Sequence, residues 1–301
     1  MGDERFSFFA KPPDEARQNV ILAHFREHYP FLHIGEIGHS LLGRPIRFFR
    51  IGQGQEAVLY VGAHHGMEWI TTLLLYRLTD DFCRAISRRG TDAVLSREKS
   101  LYILPLLNPD GVEIELHGAA AGGIMAERLL QQNNKNPDFI HWQANARGVD
   151  LNHNYDAGFG AYKEKERAAG ILSGGPTRYS GEYPFSEPET EALCRFLKVL
   201  SPVLTLTLHT QGEEIFYHPV EPPVPRAAEI GGMLARLTGY RLGEADGMAA
   251  YGGMSDYMAE RMRLPAYTLE CGLGCNPLPI TDAPRIYLRL RRALFLALAL
   301  A

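Results

Sequence analysis

The chain has 301 residues, 46% of them hydrophobic and 22% charged, a balance that excludes disorder and fibrous repeats and leaves room for a large core. Thirty-one Lys and Arg stand against thirty-five Asp and Glu, a formal net charge of −4. Without a basic field to meet a phosphate backbone or an anionic bilayer, neither nucleic acid nor membrane is expected as a partner.

Residues 1–10 place Asp3, Glu4 and Arg5 before a brief Phe-Ser-Phe-Phe. They lack the basic start and long apolar stretch of a secretory leader, so a cytoplasmic location is expected. The spacing of Ala16, Val20 and Ala23 predicts a helix over 14–28, stopped by Pro30. Residues 1–35 are thus expected as a helical segment packed on one catalytic domain spanning 1–301, since no repeat or Pro/Gly/Ser linker divides the chain. Short β-type runs at 46–51 and 57–63, around Gly52 and Gly54, predict a hairpin at one sheet edge. Residues 69–88 read as a long helix. The run LYILPLL over 101–107 reads as a strand covered on both faces, with Pro105 marking a bulge or an end.

Residues 118–136 join a Gly/Ala run to Gln131-Gln-Asn-Asn-Lys-Asn and read as a long loop. A helix is predicted over 186–200, opened by a capping box of Ser186 and Glu189 and carrying Leu193, Phe196, Leu197 and Leu200 on one face. Strands follow at 203–209 (VLTLTLH) and 266–270 (AYTLE), and a closing helix starts near Pro284. Its apolar tail, 293–301, is far short of the roughly 20 residues that span a bilayer. Strands alternating with helices predict an α/β fold: a single-domain, mixed but mostly parallel twisted sheet with helices on both faces.

Open α/β sheets bind ligands beyond the carboxyl ends of their strands. Three predicted strands end there on groups that ligate metals or carry protons. The first runs into His64, His65 and Glu68, the second into His209, the third into Glu270. The pattern H-x-x-E alone is weak, for it occurs four times, at His24, His33, His65 and His218. Only the His65/Glu68 copy stands at a predicted strand end. A His and a Glu three apart on a strand-to-helix turn can bend onto one ion, with His209 as a distant third ligand. Two His and one Glu with an open position are the ligand set of a catalytic zinc, which activates water. Structural zinc sites are usually closed by four ligands, so that reading is disfavoured. The ordinary alternative, histidines hydrogen-bonded under loops, does not explain three such groups at three strand ends. Glu270, next to that edge, is placed to carry a proton from water to a leaving amine. The cysteines Cys83, Cys194, Cys271 and Cys275 read as reduced thiols, since C-x3-C without a second pair completes no four-ligand site.

At this point the chain resembles the zinc carboxypeptidases related to pancreatic carboxypeptidase, the M14 metallopeptidases. The resemblance lies in GHSLLGR (38–44), GAHHGMEWI (62–70), NPDG (108–111), NARGVDLNHNYDAGF (145–159), His209-Thr210, and Gly252-Gly253-Met-Ser-Asp256 with Glu270, in family order. It implies one Zn2+ on His65, Glu68 and His209, with Glu270 as base. It also exposes departures. The family's carboxylate-clamping arginine is replaced by His153, between Asn152 and Asn154, and imidazole cannot form a guanidinium's bidentate fork. A family tyrosine four residues before the Gly-Gly pair is replaced by Met248, with Tyr251 a possible substitute. The oxyanion arginine beside Trp142 is replaced by Gln143, and Arg147 is the nearest cation, so either of these is expected to support the oxyanion.

The wording around Trp142–Asn152 and His209-Thr-Gln-Gly-Glu213-Glu214 most resembles the bacterial branch that cuts γ-D-glutamyl-meso-diaminopimelate bonds in peptidoglycan peptides. Diaminopimelate adds both a carboxylate and an ammonium, which suits a site mixing Arg147 and His153 with Glu213 or Glu214. The expected partner is therefore a short cell-wall-derived peptide, oriented by Asn152, His153, Tyr251, Gln143 and Glu213. A conventional metallocarboxypeptidase or an N-acyl amino acid deacylase remains the alternative. A catalytically silent muropeptide-binding protein is a further one, although it would have no need of a water base.

Overall fold

The computed structural model describes residues 6–90, 95 and 97–301; Asp3, Glu4 and Arg5, read above for a leader, lie outside them. Asp14 accepts a hydrogen bond from the Arg17 amide and so caps α1 (Glu15–His28). Strands β1 (His33–His39), β2 (Pro45–Ile51) and β3 (Glu56–Gly62) follow, then α2 (Ile70–Arg89), which Gly90 ends at φ +81°. Next come β4 (Lys99–Leu104), α3 (Pro109–His117), α4 (Ala126–Gln132), α5 (Phe159–Ala168), α6 (Pro188–Leu200) and β5 (Leu204–His209). The chain closes with β6 (Glu214–Phe216), α7 (Ala227–Thr238), β7 (Arg241–Gly243), the short α8 (Met254–Tyr257), β8 (Ala266–Glu270) and α9 (Ala283–Leu300).

The eight strands form one sheet in the order β1-β2-β4-β3-β5-β8-β6-β7. Pairs β3·β4, β3·β5, β5·β8 and β6·β7 are parallel; β1·β2, β2·β4 and β6·β8 are antiparallel. The mixed, mostly parallel sheet is therefore the one expected. Successive side chains of β3 face opposite ways: Val58 and Tyr60 join a core with α1, α2, α7 and α9, while Leu59 and Val61 join a second with α6 and α8. Both faces are covered, and β3 is accordingly apolar from Ala57 to Val61, while β5 alternates leucines with the buried Thr205 and Thr207.

Four local expectations are corrected. The runs at 46–51 and 57–63 do not form a hairpin; β4 lies between them, and the edge hairpin is β1–β2. Gly54 crosses so close to the start of β4 that a Cβ there would lie 2.1 Å from the Lys99 nitrogen, which carries β3 past β4 instead of back along β2. The capping box at Ser186/Glu189 is absent. Glu187 is the N-cap of α6, Ser186 donates to Glu187, and the buried Glu189 accepts from the Leu41 amide at 3.0 Å. Ser186 Oγ also accepts from Asn154 Nδ2 at 2.9 Å, so both side chains are committed elsewhere. The strand predicted over 101–107 is shifted to Lys99–Leu104, with Pro105 just past its end. Within 118–136 lie a 3-10 turn (Ala119–Met125) and α4, so the expected loop is partly helical. Among the described residues no helix is long and apolar enough to cross a membrane.

Candidate metal centre and catalytic cavity

The first candidate ligand pair, His65 and Glu68, sits just beyond β3, in a loop pinned from two sides. Gly66 and Met67 amides donate to the carbonyls of Gln143 and Trp142, both at 2.9 Å, and Asn108 donates through Nδ2 to the His64 carbonyl at 3.0 Å. Gly66 must be glycine because a Cβ would meet the Gly111 carbonyl oxygen at 2.4 Å. The 3-10 turn Gly66–Glu68 then brings Glu68 back onto His65. His209, the last residue of β5, arrives from the neighbouring strand.

His65, Glu68 and His209 each present a ligand atom within 4.8 Å of the others, and all three are buried. His65 Nδ1 is 3.0 Å from Glu68 Oε1, His209 Nδ1 is 3.0 Å from Glu68 Oε2, and the two Nδ1 atoms are 3.3 Å apart. Two imidazole nitrogens and a carboxylate converging on one point form the donor set of a divalent ion such as zinc, and the residues present fit it. Burial alone would raise the Glu68 carboxyl, but His65 and His209 hold it at about 2.

The second layer holds these ligands in place. Asp150 Oδ1 lies 3.1 Å from His65 Nε2 and accepts from the Asn152 amide, while Oδ2 accepts from the Arg178 amide at 3.1 Å. A carboxylate on the far nitrogen fixes the tautomer that leaves Nδ1 free to ligate. Burial raises Asp150, yet His65 and His153 hold it well below the usual carboxylate range. Asn276 donates to the Thr210 carbonyl at 2.7 Å and reaches Glu68 Oε1 at 3.5 Å; the Thr210 amide donates to Glu68 Oε2 at 3.2 Å. Asp150, Thr210 and Asn276 were given no role from sequence. Of these, only Asp150 carried a signal, as a lone acid two residues before Asn152.

The centre lines a cavity of about 750 Å³ that also takes in Gln143, Asn152, His153, Tyr251 and Glu270. Gln143 is oriented by Thr177, whose hydroxyl donates to Gln143 Oε1, and its Nε2 comes within 3.4 Å of His65 Nδ1. Asn152 accepts from the Met254 amide through Oδ1 at 3.2 Å. His153 stacks on Tyr162 at 4.0 Å, and its Nδ1 is 2.8 Å from the Tyr251 carbonyl oxygen. Glu270 is pushed well above the usual carboxylate range by burial and by Glu68, with Glu214 adding to this and His65 opposing it.

Two expected residues lie elsewhere. Arg147 is outside the cavity lining, its Nε 3.0 Å from Glu187 Oε2, so the buried acid at the start of α6 has claimed this cation. Glu213 is also outside it, 3.3 Å from Arg289; its neighbour Glu214 is the one that lines the cavity and pairs with Arg241. The lining also includes three charged or titratable residues that were given no role from sequence. Arg178 is one, and His218 with Asp256 forms a wall, where His218 Nδ1 is 3.4 Å from Asp256 Oδ1 and Nε2 is 3.0 Å from Glu260. His218 had been set aside as a chance H-x-x-E.

With this geometry in hand, the family model described as zinc carboxypeptidase matches residues 19–277. The chain is 32% identical over 266 residues to "Gamma-D-glutamyl-L-diamino acid endopeptidase 1" of Lysinibacillus sphaericus, covering 86% of this chain and 65% of that one. It is 26% identical over 238 residues to "Murein peptide amidase A" of Escherichia coli, covering 77% and 78%. This chain thus spans just under two thirds of the first relative's length. Among solved structures, thrombin-activatable fibrinolysis inhibitor superposes with a TM-score of 0.75 at 16% identity, over 98% of this chain and 75% of that one. The murein-tripeptide amidase from Escherichia coli O157 superposes with a TM-score of 0.57 at 23% identity, over 87% and 91%. At these identities the superpositions bear on the fold.

Proposed function

We propose that this chain, which belongs to the zinc carboxypeptidase family and is a metallopeptidase, hydrolyses the γ-D-glutamyl-meso-diaminopimelate amide bond of short peptidoglycan-derived peptides. The observation that carries the reading is the buried convergence of His65, Glu68 and His209 beside Glu270 on the floor of one cavity. These three residues would hold one zinc ion, which when bound polarises the scissile carbonyl and activates water.

The chain's own groups supply the rest. Glu270 takes the proton from the attacking water and delivers it to the leaving amine; its raised affinity for a proton suits both halves of that transfer. Gln143, held by Thr177, presents its amide N–H toward the metal side, where the oxyanion develops. Asp150 keeps His65 in its ligating tautomer. Asn152 and Tyr251 line the wall against which the peptide lies.

Two features support the substrate. One is the names of the relatives: an endopeptidase for γ-D-glutamyl-L-diamino acids and a murein peptide amidase. The other is the lining, where the acids Glu214, Glu244 and Asp256 stand with Arg178, His153 and His218, a mixture suited to a residue carrying both ammonium and carboxylate groups.

The test is mass spectrometry of L-Ala-γ-D-Glu-meso-diaminopimelate incubated with zinc-loaded protein, beside a blocked dipeptide ending in Phe or Lys. Release of free diaminopimelate with the dipeptide intact is the expected result. Cleavage of the dipeptide alone would replace this substrate with that of a conventional carboxypeptidase.

A further inference from the structure

Acidic groups dominate the cavity. Glu68, Asp150, Glu214, Glu244, Asp256 and Glu270 all line it, and Arg178 is the one arginine or lysine among its described lining residues. A peptide that leaves this site as an amino acid brings at least one carboxylate with it, and that carboxylate must be placed among like charges. Of the groups expected to take it, Arg147 is paired with Glu187 outside the cavity. His153 is 8% exposed, stacked on Tyr162 and engaged through Nδ1 with the Tyr251 carbonyl. An imidazole so committed offers at most one further nitrogen and no fork.

Arg178 is held for such a task by its backbone. Its amide donates to Asp150 Oδ2 at 3.1 Å, and its carbonyl accepts from the Tyr162 hydroxyl at 3.0 Å. These bonds fix it at φ +66°, an uncommon conformation for a residue with a side chain. The same Asp150 binds the Asn152 amide and His65, and the same Tyr162 carries the His153 ring, so Arg178 is tied to both residues of the expected clamp. Its guanidinium has no hydrogen bond or ion pair to any described residue, so its five donors are unspent.

We infer that Arg178 is the specificity-determining residue that binds a carboxylate of the amino acid on the leaving side of the scissile amide, a role that the sequence assigns to His153 by position. The inference rests on the peptidase reading above and deepens it. The carboxylate is either the main-chain one or the second one of a diamino diacid, and both offer the same bidentate geometry to a guanidinium.

The experiment compares zinc-loaded wild type, Arg178→Gln and Arg178→Lys on L-Ala-γ-D-Glu peptides ending in diaminopimelate, in lysine and in lysine amide. Arg178→Gln is expected to raise KM about 10- to 100-fold on the diaminopimelate peptide, with kcat within a few-fold and the amide unaffected. Arg178→Lys should recover part of the loss. An equal penalty on the lysine peptide assigns the main-chain carboxylate; a penalty on diaminopimelate alone assigns the second. Equal losses on free and amidated peptides, a fall in kcat without a change in KM, or no effect at all would overturn the inference.

Should the wild type cleave none of these peptides, the substrate reading fails by itself. Calorimetric binding of a blocked dipeptide, free or amidated at its C-terminus, to zinc-loaded wild type and Arg178→Gln then decides the role of Arg178. Selective loss of the free acid supports it, and equal binding refutes it.

Discussion

His209 and Glu270 are direct partners in the parallel register of β5 and β8. The proposed third ligand and the proposed proton carrier therefore leave the sheet side by side, at the same level, from adjacent strands. On its other side Glu270 is partnered by Glu214 across the antiparallel β6–β8 pair. One ladder thus sets the spacing between His209, Glu270 and Glu214.

Glu270 is not among the three converging ligands, so Glu270→Gln should bind zinc as the wild type does. Turnover is expected to fall about 10²- to 10⁴-fold, the usual contribution of a positioned acid–base group. Metal content by elemental analysis, taken beside kcat, checks both halves. A variant with normal metal and near-normal rate would remove Glu270 from the reaction.

The parts of this arrangement that sequence made legible are those set by strand ends. His65, Glu68, His209 and Glu270 each stand where an apolar run stops, and strand runs survive any error in pairing. Pairing itself was not legible. The edge hairpin was placed on β2 and β3 because nothing local reveals that β4 inserts between them. Arg147 and Glu213 lie outside the lining for a related reason: their neighbours Glu187 and Arg289 are distant in sequence and close in space, so proximity along the chain to a site residue said nothing about which way they point. The tie from Asp150 to Arg178 spans 28 positions and left no trace in any motif.

Asp150 orients His65 and does not itself ligate, so Asp150→Asn should weaken zinc binding without abolishing it. A loss of about 10- to 100-fold is expected for an outer carboxylate on a ligating histidine. Competition against a chromogenic chelator measures it directly, and an unchanged affinity would show that the His65 tautomer is set elsewhere.

Stripping the metal has a consequence for stability as well as for activity. A ligand that binds only the folded chain stabilises it by RT ln(1 + [L]/Kd), about 2.7 kcal/mol at a hundredfold excess over Kd. Chelation should therefore lower Tm in the wild type, and zinc should restore it. In His209→Ala the same additions should move Tm far less. Equal shifts in both proteins would place the bound zinc elsewhere.

Glu189 offers a test outside the cavity lining. Its carboxyl is wholly buried at the start of α6, where it accepts from the Leu41 amide and from Asn145 Nδ2. Burial raises it to about 7, the Leu41 bond opposing and Asp110 adding to the rise. The folded chain thus holds this proton more tightly than the unfolded chain, where a glutamic acid titrates near its ordinary value. Between those two values the folded state carries more protons, so its stability is fullest below the unfolded value and declines as pH climbs through about 7. The tighter hold on this proton corresponds to a swing of about 3 kcal/mol in stability. Glu189→Gln has no proton to lose and keeps a carbonyl for the Leu41 amide. Whatever fixed cost the new amide carries against Asn145, the variant should gain on the wild type by about that swing between pH 4 and pH 8. Denaturant unfolding at the two pH values measures the difference of differences, and a gap that stays constant with pH would show that Glu189 ionises normally in the folded chain.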